Sequence, residues 1–345
     1  MRTRAAKTAI VALLILLIAT CFAIGVSAQS PIVIRIGHNQ PPDQELAKSL
    51  VRMAERIQER TNGRVEVRIF PAGQLGSGPE IIEQAEMGSV EITEITGSQL
   101  STLLDDFSIF DAPFIFDDEW HAHEFGRSDM VQAMAKKLLD QYGLRILDIS
   151  VVFGPRHLST KNTPVRKPED LKGLKIRVHE AQTRVDMINA WGATPVVTAT
   201  AEMYMALQTG LADGQESPLS WQRDQKYWEV QKYVMKTGHF IQNNGIAINE
   251  QFYQRLPDDI KQILVEEAAK MAEEATANYI RANQEAEADL VANGMIIVDD
   301  VDIAAFRKAS EKMWDKWEHR WGAGAPQKVI NREYRVLSPE EWINY

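Results

Sequence analysis

Cysteine is almost missing from this chain: Cys21 stands alone among 345 residues, so no intrachain disulfide and no cluster of zinc-binding thiolates can form. Basic residues are in deficit, with 38 lysines and arginines against 48 aspartates and glutamates and a formal net charge of −10. That balance excludes a sequence-blind grip on nucleic acid, because counterion release needs a basic face. Long apolar runs are missing apart from one at the N-terminus, which rules out a multi-span membrane protein. Also missing are the Walker loop, the Rossmann glycine set, the zincin helix and the nucleophile elbow. Gly73-Gln74-Leu75-Gly76-Ser77-Gly78 has neither the lysine nor the spacing of a phosphate loop. Enzymatic chemistry loses its usual handles, and no cofactor is implied. What is present is an ordinary globular composition, 45% hydrophobic, 8% aromatic and 25% charged, enough for one domain or two of moderate size without covalent staples.

The one apolar run, Ala9 to Ala28, follows Arg2, Arg4 and Lys7 and ends in Val26-Ser27-Ala28. Basic n-region, apolar core and small residues at the end are the pattern of a secretory signal peptide over residues 1–28, removed before Gln29. An uncleaved anchor is the alternative, since about 20 apolar residues just span a bilayer. Thr20 is too bulky for a good lipid-attachment signal at Cys21. Cleavage carries the cysteine and three basic residues away, and the destination is the periplasm.

Downstream, Ile32 to Gly37 reads as a strand, and Leu46, Leu50, Met53, Ala54 and Ile57 recur at helical spacing between Glu45 and Arg60. Val65 to Phe70 alternates as a second strand, and Pro79 to Met87 resumes the helical period. This β-α-β-α order predicts an α/β fold with a largely parallel sheet. It recurs after Leu144, with strands at Arg145–Val152 and Leu174–Val178 and a helix from Thr183 to Ala190, so two lobes are expected: 29–152 and 153–242, with the segments near 243–282 and 283–345 divided between them. A helical tract from Asp258 to Asn293, roughly 54 Å if unbroken, either lies across both lobes, pairs with a second copy of the chain, or bends into two helices. A strand at Met295–Val298 and a Trp-rich helix from Ile303 to Trp321 complete the chain.

Few residues advertise chemistry by position alone. His121 and His123 would share one face of a strand but diverge on a helix, and no third ligand is marked for a metal. In Leu174-Lys175-Ile176-Arg177-Val178-His179, period-two alternation takes Arg177 off the apolar face. It is either a solvated arginine on a half-exposed sheet or a guanidinium fork for a carboxylate. Gly210 suits a helix C-cap, and Ser217-Pro218 reads as N-cap and first residue of a new helix.

Several motifs then occur in register: Asp170 to Val178, Gly192-Ala193-Thr194-Pro195, Glu202 to Gly210, Asp213-Gly214-Gln215-Glu216-Ser217-Pro218, Gly73 to Gly76 and Tyr227 to Tyr233. Together they resemble the solute-binding proteins of TRAP transporters, the DctP-type family. The resemblance implies a two-lobed periplasmic-binding-protein-like fold with crossing strands, an interlobe cleft and a long bracing helix. It implies capture of a small organic acid and its delivery to TRAP permease subunits, with no catalytic step. It further implies that Arg177 holds the ligand carboxylate, with Arg156 as second basic contact, Asn39 beside His38 reaching from the opposing lobe, and Thr96 on a loop at the ligand. Ser217 replaces the family's usual asparagine, which argues against a standard small dicarboxylate, and Trp221 one turn on could line the space this opens. Glu180 and Asn243 are further cleft candidates. Rival readings are a binding protein serving a sensor kinase, and a secreted lyase or hydrolase using Glu180 or His179 as base.

Overall fold

Eleven strands and a set of covering helices are described over residues 30–345 of the computed structural model; the signal peptide expected over 1–28 lies outside the described residues. The strands are β1 (Ile32–Gly37), β2 (Val65–Phe70), β3 (Ile92–Thr96), β4 (Leu144–Pro155), β5 (His157–Thr160), β6 (Lys175–Val178), β7 (Thr194–Val197), β8 (Gly214–Ser217), β9 (Tyr233–Met235), β10 (Ile241–Asn249) and β11 (Ile296–Val298). They form two sheets, ordered β2-β1-β3-β10-β4 and β11-β9-β5-β8-β6-β7. The first defines one lobe and the second the other. The expected α/β fold is therefore present, and mixed rather than purely parallel: β1 and β3 run parallel, whereas β10 is antiparallel to both β3 and β4.

Local signals and packing agree over most of the chain. The helix Glu45–Arg60 buries Leu46, Leu50, Met53, Ala54 and Ile57, the stripe its 3.6-residue period requires. Strand β4 is buried along nearly its whole length and runs straight into β5 of the other sheet, so only Arg156 separates the two ladders. Strand β10 returns from the second lobe to the first beside it, and these two crossings are the hinge connections.

The tract after Asp258 is one continuous helix of 35 residues, Asp258–Ala292, not two. Its first half packs on the first sheet's helix, where Arg60 Nη1 meets Glu267 Oε1 at 2.8 Å, and its Thr276 Oγ1 accepts from Val152 N at 3.0 Å. Its last turns, at Ala286 and Leu290, join Leu219, Val234 and Met295 of the second lobe. Asn283 ties the hinge directly: its Nδ2 donates to Phe153 O at 3.1 Å and its Oδ1 accepts from Ser220 N at 2.9 Å. A second strut is the helix Ile303–Trp321, whose Trp317 Nε1 donates to Asp186 in the second lobe while Trp321 Nε1 donates to Ser108 in the first. Among the described residues no helix is long and apolar enough to cross a membrane.

One local expectation is corrected, and one alternative is resolved. Ser217 is not an N-cap: it is the last residue of β8, paired with His157 of β5, and Pro218 takes the cap position ahead of a helix that starts at Leu219. The ladder wins because backbone hydrogen bonds to β5 fix Ser217 in extended geometry. His121 and His123 fall on the helix Glu119–Gly126 and diverge; His121 Nε2 meets Val329 O at 2.9 Å and His123 Nδ1 meets Ser150 O at 2.8 Å.

At the hinge, Gly154 has φ +106° and a Cβ there would stand 2.3 Å from Asn283 Nδ2. Gly154→Ala is expected to destabilise the protein by about 1–3 kcal/mol, read as a lower urea midpoint; an unchanged midpoint contradicts this account of the hinge.

Candidate ligand-binding site

Strand β6 places Ile176 and Val178 in the core and turns Arg177 to the other face, as alternation requires, yet Arg177 is only 1% exposed. Neither a solvated arginine nor an internally paired one is found. Its Nη2 donates to Thr198 O at 2.5 Å, its Nε to Thr198 Oγ1 at 3.2 Å, and its Nη1 lies 3.3 Å from Met203 Sδ. No carboxylate among the described residues pairs with it. Burial pushes the guanidinium down to about 10, with Glu216 pulling the other way, so it stays charged at neutral pH. A buried cation without a counter-ion is costly, and the partners of this one, Thr198 and Met203, all belong to the second lobe.

Beside it the remaining charges cancel. Arg156, between the crossing ladders, donates from Nε to Glu216 Oε2 at 2.5 Å, from Nη2 to Glu216 Oε1 at 3.0 Å, and from Nη1 to Gln242 Oε1 at 2.6 Å. Arg184, on the helix Gln182–Ala190, donates from Nη1 to the same carboxylate at 3.3 Å and from Nη2 to Asp111 Oδ1 at 3.1 Å and Ser98 Oγ at 3.0 Å. Thr183 Oγ1 donates to Asp111 Oδ2 at 3.2 Å. Burial alone would push the Glu216 carboxyl up, but Arg156, Arg184 and His239 outweigh it and hold the group well below the usual carboxylate range. Two cations thus face two anions, and Arg177 is left over. Asp111 and Ser98 lie on elements of the first sheet's side and Arg184 on the second's, so this ion pair joins the two.

The other expected site residues are placed unevenly. Asn39 sends its backbone N–H to Glu94 Oε2 at 3.0 Å, while its side-chain amide, in the orientation that satisfies both partners, donates to Gly76 O at 3.1 Å and accepts from Gly78 N at 2.7 Å. Thr96 caps the short helix Gly97–Leu100 by accepting from Gln99 N. His38 is buried with neither ring nitrogen hydrogen-bonded, and burial pushes it down to about 4, so it is neutral. Ser217 Oγ is buried without a partner.

Three further candidates have these surroundings. Asn243 donates to Ala122 O at 2.9 Å and Ile149 O at 3.3 Å; its strand neighbours Gln242 and Asn244 bond each other at 2.9 Å instead and lead back to Arg156. Trp221 packs edge-on against Phe153, with Nε1 3.3 Å from Tyr227 Oη. Glu180 is exposed and borders a cavity of about 270 Å³ whose lining comes from both lobes, Thr102 and Asp105 on one side and Gln182 and Thr183 on the other. Sequence reasoning missed Arg184, Asp111 and Gln242. Arg184 carries no signal, since its partner Asp111 lies 73 residues away, and only the period-two alternation around Asn243 could have directed attention to Gln242 and Asn244.

Comparison with known proteins now adds what geometry alone does not. A family model described as DctP, bacterial extracellular solute-binding protein, family 7, matches residues 36–320. The C4-dicarboxylate-binding periplasmic protein DctP of Rhodobacter capsulatus is 32% identical over 259 residues, 74% of this chain and 76% of that one. The sialic acid-binding periplasmic protein SiaP of Vibrio cholerae is 27% identical, covering 80% of this chain and 85% of its own. Among solved structures, a TRAP periplasmic solute-binding protein of Pseudomonas putida F1 with bound D-glucuronate superposes with a TM-score of 0.82 at 26% identity, over 89% of this chain and 99% of that one. One from Fusobacterium with bound sn-glycerol-3-phosphate has a TM-score of 0.81 at 29% identity, over 87% and 96%. The chain belongs to the DctP family of bacterial extracellular solute-binding proteins.

Proposed function

We propose that this protein captures a small carboxylate-bearing acid between its lobes, outside the cytoplasmic membrane, and delivers it unaltered to the permease of a TRAP transporter. The observation that carries the reading is Arg177, a buried cation that no group of the described chain neutralises. A guanidinium presents paired donors matching the two oxygens of a carboxylate. The relatives support the same class: D-glucuronate occupies the Pseudomonas protein and D-erythronate a Polaromonas one at 26% identity.

Magnitudes require closure. Micromolar binding is about −8 kcal/mol, and each hydrogen bond to a charged group is worth roughly 1.5–3 kcal/mol. A bidentate Arg177 and two or three polar contacts reach that sum only where water does not compete. The Arg184–Asp111 pair across the lobes supports such a closed state, and closure shapes the surface a permease reads. A lyase or hydrolase would need a base at neutral pH. His179 is pushed down to about 3 by burial and by Arg184, Arg177 and Arg156, which makes it a poor one.

Arg177→Ala is expected to weaken binding of the best acid at least about 100-fold in calorimetry while the circular-dichroism spectrum stays that of the folded protein, although losing the buried side chain and its hydrogen bonds to Thr198 lowers the melting temperature. Retained affinity contradicts the assignment. Asp111→Asn, which leaves the size of the side chain alone, should lower affinity about tenfold through faster dissociation in stopped-flow traces; an unchanged dissociation rate would show that the interlobe pair does not hold the cleft shut. Recovering the acid chemically intact after prolonged incubation checks the absence of turnover.

A further inference from the structure

We propose that the cleft is built for a zwitterion, an acid whose carboxylate meets Arg177 on the second lobe and whose ammonium group meets Glu94 on the first. The inference rests on the carboxylate reading above and deepens it.

Glu94 is 5% exposed, in the strand that ends at Thr96. Register places it at the cleft end of its sheet. Ile36 pairs with Ile92 and Gly37 with Thr93, so His38 follows beside Glu94, and across the sheet Asn244 pairs with Thr96. The carboxylate accepts from Asn39 N at 3.0 Å, Gln40 Nε2 at 2.6 Å and Asn244 Nδ2 at 3.4 Å. All three donors are neutral. Among the described residues no lysine or arginine pairs with it, and burial, opposed only by those hydrogen bonds, raises its pKa. His38, the adjacent base, stays neutral because burial pushes it down to about 4. Gln40 adds a second buried acceptor, since its Oε1 has no partner.

Glu94 is wired to the arginines through amides. Asn244 Oδ1 accepts from Gln242 Nε2 at 2.9 Å, and Gln242 Oε1 accepts from Arg156 Nη1 at 2.6 Å. With Arg156 and Arg184 balanced by Glu216 and Asp111, the cleft retains one cation on one lobe and one carboxylate on the other. A dicarboxylate would bring like charge against Glu94, and a plain monocarboxylate would leave Glu94 buried without a counter-ion. An ammonium group carries three donors and a positive charge, which fits a carboxylate flanked by a free amide oxygen.

The test is calorimetry on the intact protein with three matched series: amino acids from glycine to 6-aminohexanoate, the corresponding hydroxy acids, and the corresponding dicarboxylates. At least one amino acid is expected to bind about 30-fold tighter than its hydroxy partner, and Glu94→Gln should erase that difference by weakening the amino acid alone. Hydroxy acids or dicarboxylates binding as tightly as the amino acids would overturn the proposal while leaving the role of Arg177 standing. So would an unchanged amino-acid affinity in Glu94→Gln. Should the variant fail to fold, as read by circular dichroism, the wild-type series decides alone. Failure of every acid, with or without an amine, contradicts the carboxylate reading itself.

Discussion

A guanidinium buried without a counter-ion is the constraint on which the cleft depends. Arg177 keeps its charge in a region from which water is largely excluded, and its only protein partners are a carbonyl, a hydroxyl and a thioether. Such a group is paid for elsewhere in the fold unless something brings a negative charge to it. The neighbouring arginines do not share the task. Arg156 and Arg184 are charge-balanced by Glu216 and Asp111, and Arg184 Nε is left without a partner.

The scaffold makes this constraint enforceable. Short strands of the second sheet deliver Arg177 beside Gln215 on β8, one residue from the Glu216 that anchors Arg156. Only one residue lies between β4 and β5, so a motion of one sheet relative to the other turns about Arg156 and the tightly packed Gly154. Two helices, Asp258–Ala292 and Ile303–Trp321, touch both lobes, which restricts that motion to a hinge. Under the proposed function, ligand charge, lobe closure and the Arg184–Asp111 pair form one coupled equilibrium, in which each term stabilises the others.

Much of this was legible in the sequence where a local rule decides the outcome. The helix Glu45–Arg60, the helix Ile303–Trp321 and the strand carrying Arg177 follow directly from apolar spacing. Ser217 shows the limit of such rules: Ser-Pro is a sound N-cap signal, but a strand partner 60 residues away claims its backbone. Asn243 shows another: period-two alternation sets it on the face opposite Gln242 and Asn244, and it is those two that connect to Arg156. Arg184 and Asp111 were invisible because their meaning lies in the pairing, and nothing in either local sequence announces the other. The identity of Arg177 as the unpaired cation likewise needed every other charge in the cleft to be accounted for first.

The most direct measurement compares one tightly bound acid with its primary amide, which keeps the shape and removes the charge. If Arg177 requires an anion, calorimetry will show the amide binding at least about 100-fold more weakly, in the wild-type protein at neutral pH. Equal affinities for acid and amide would contradict the account, because they would mean that the buried guanidinium is not what the ligand neutralises.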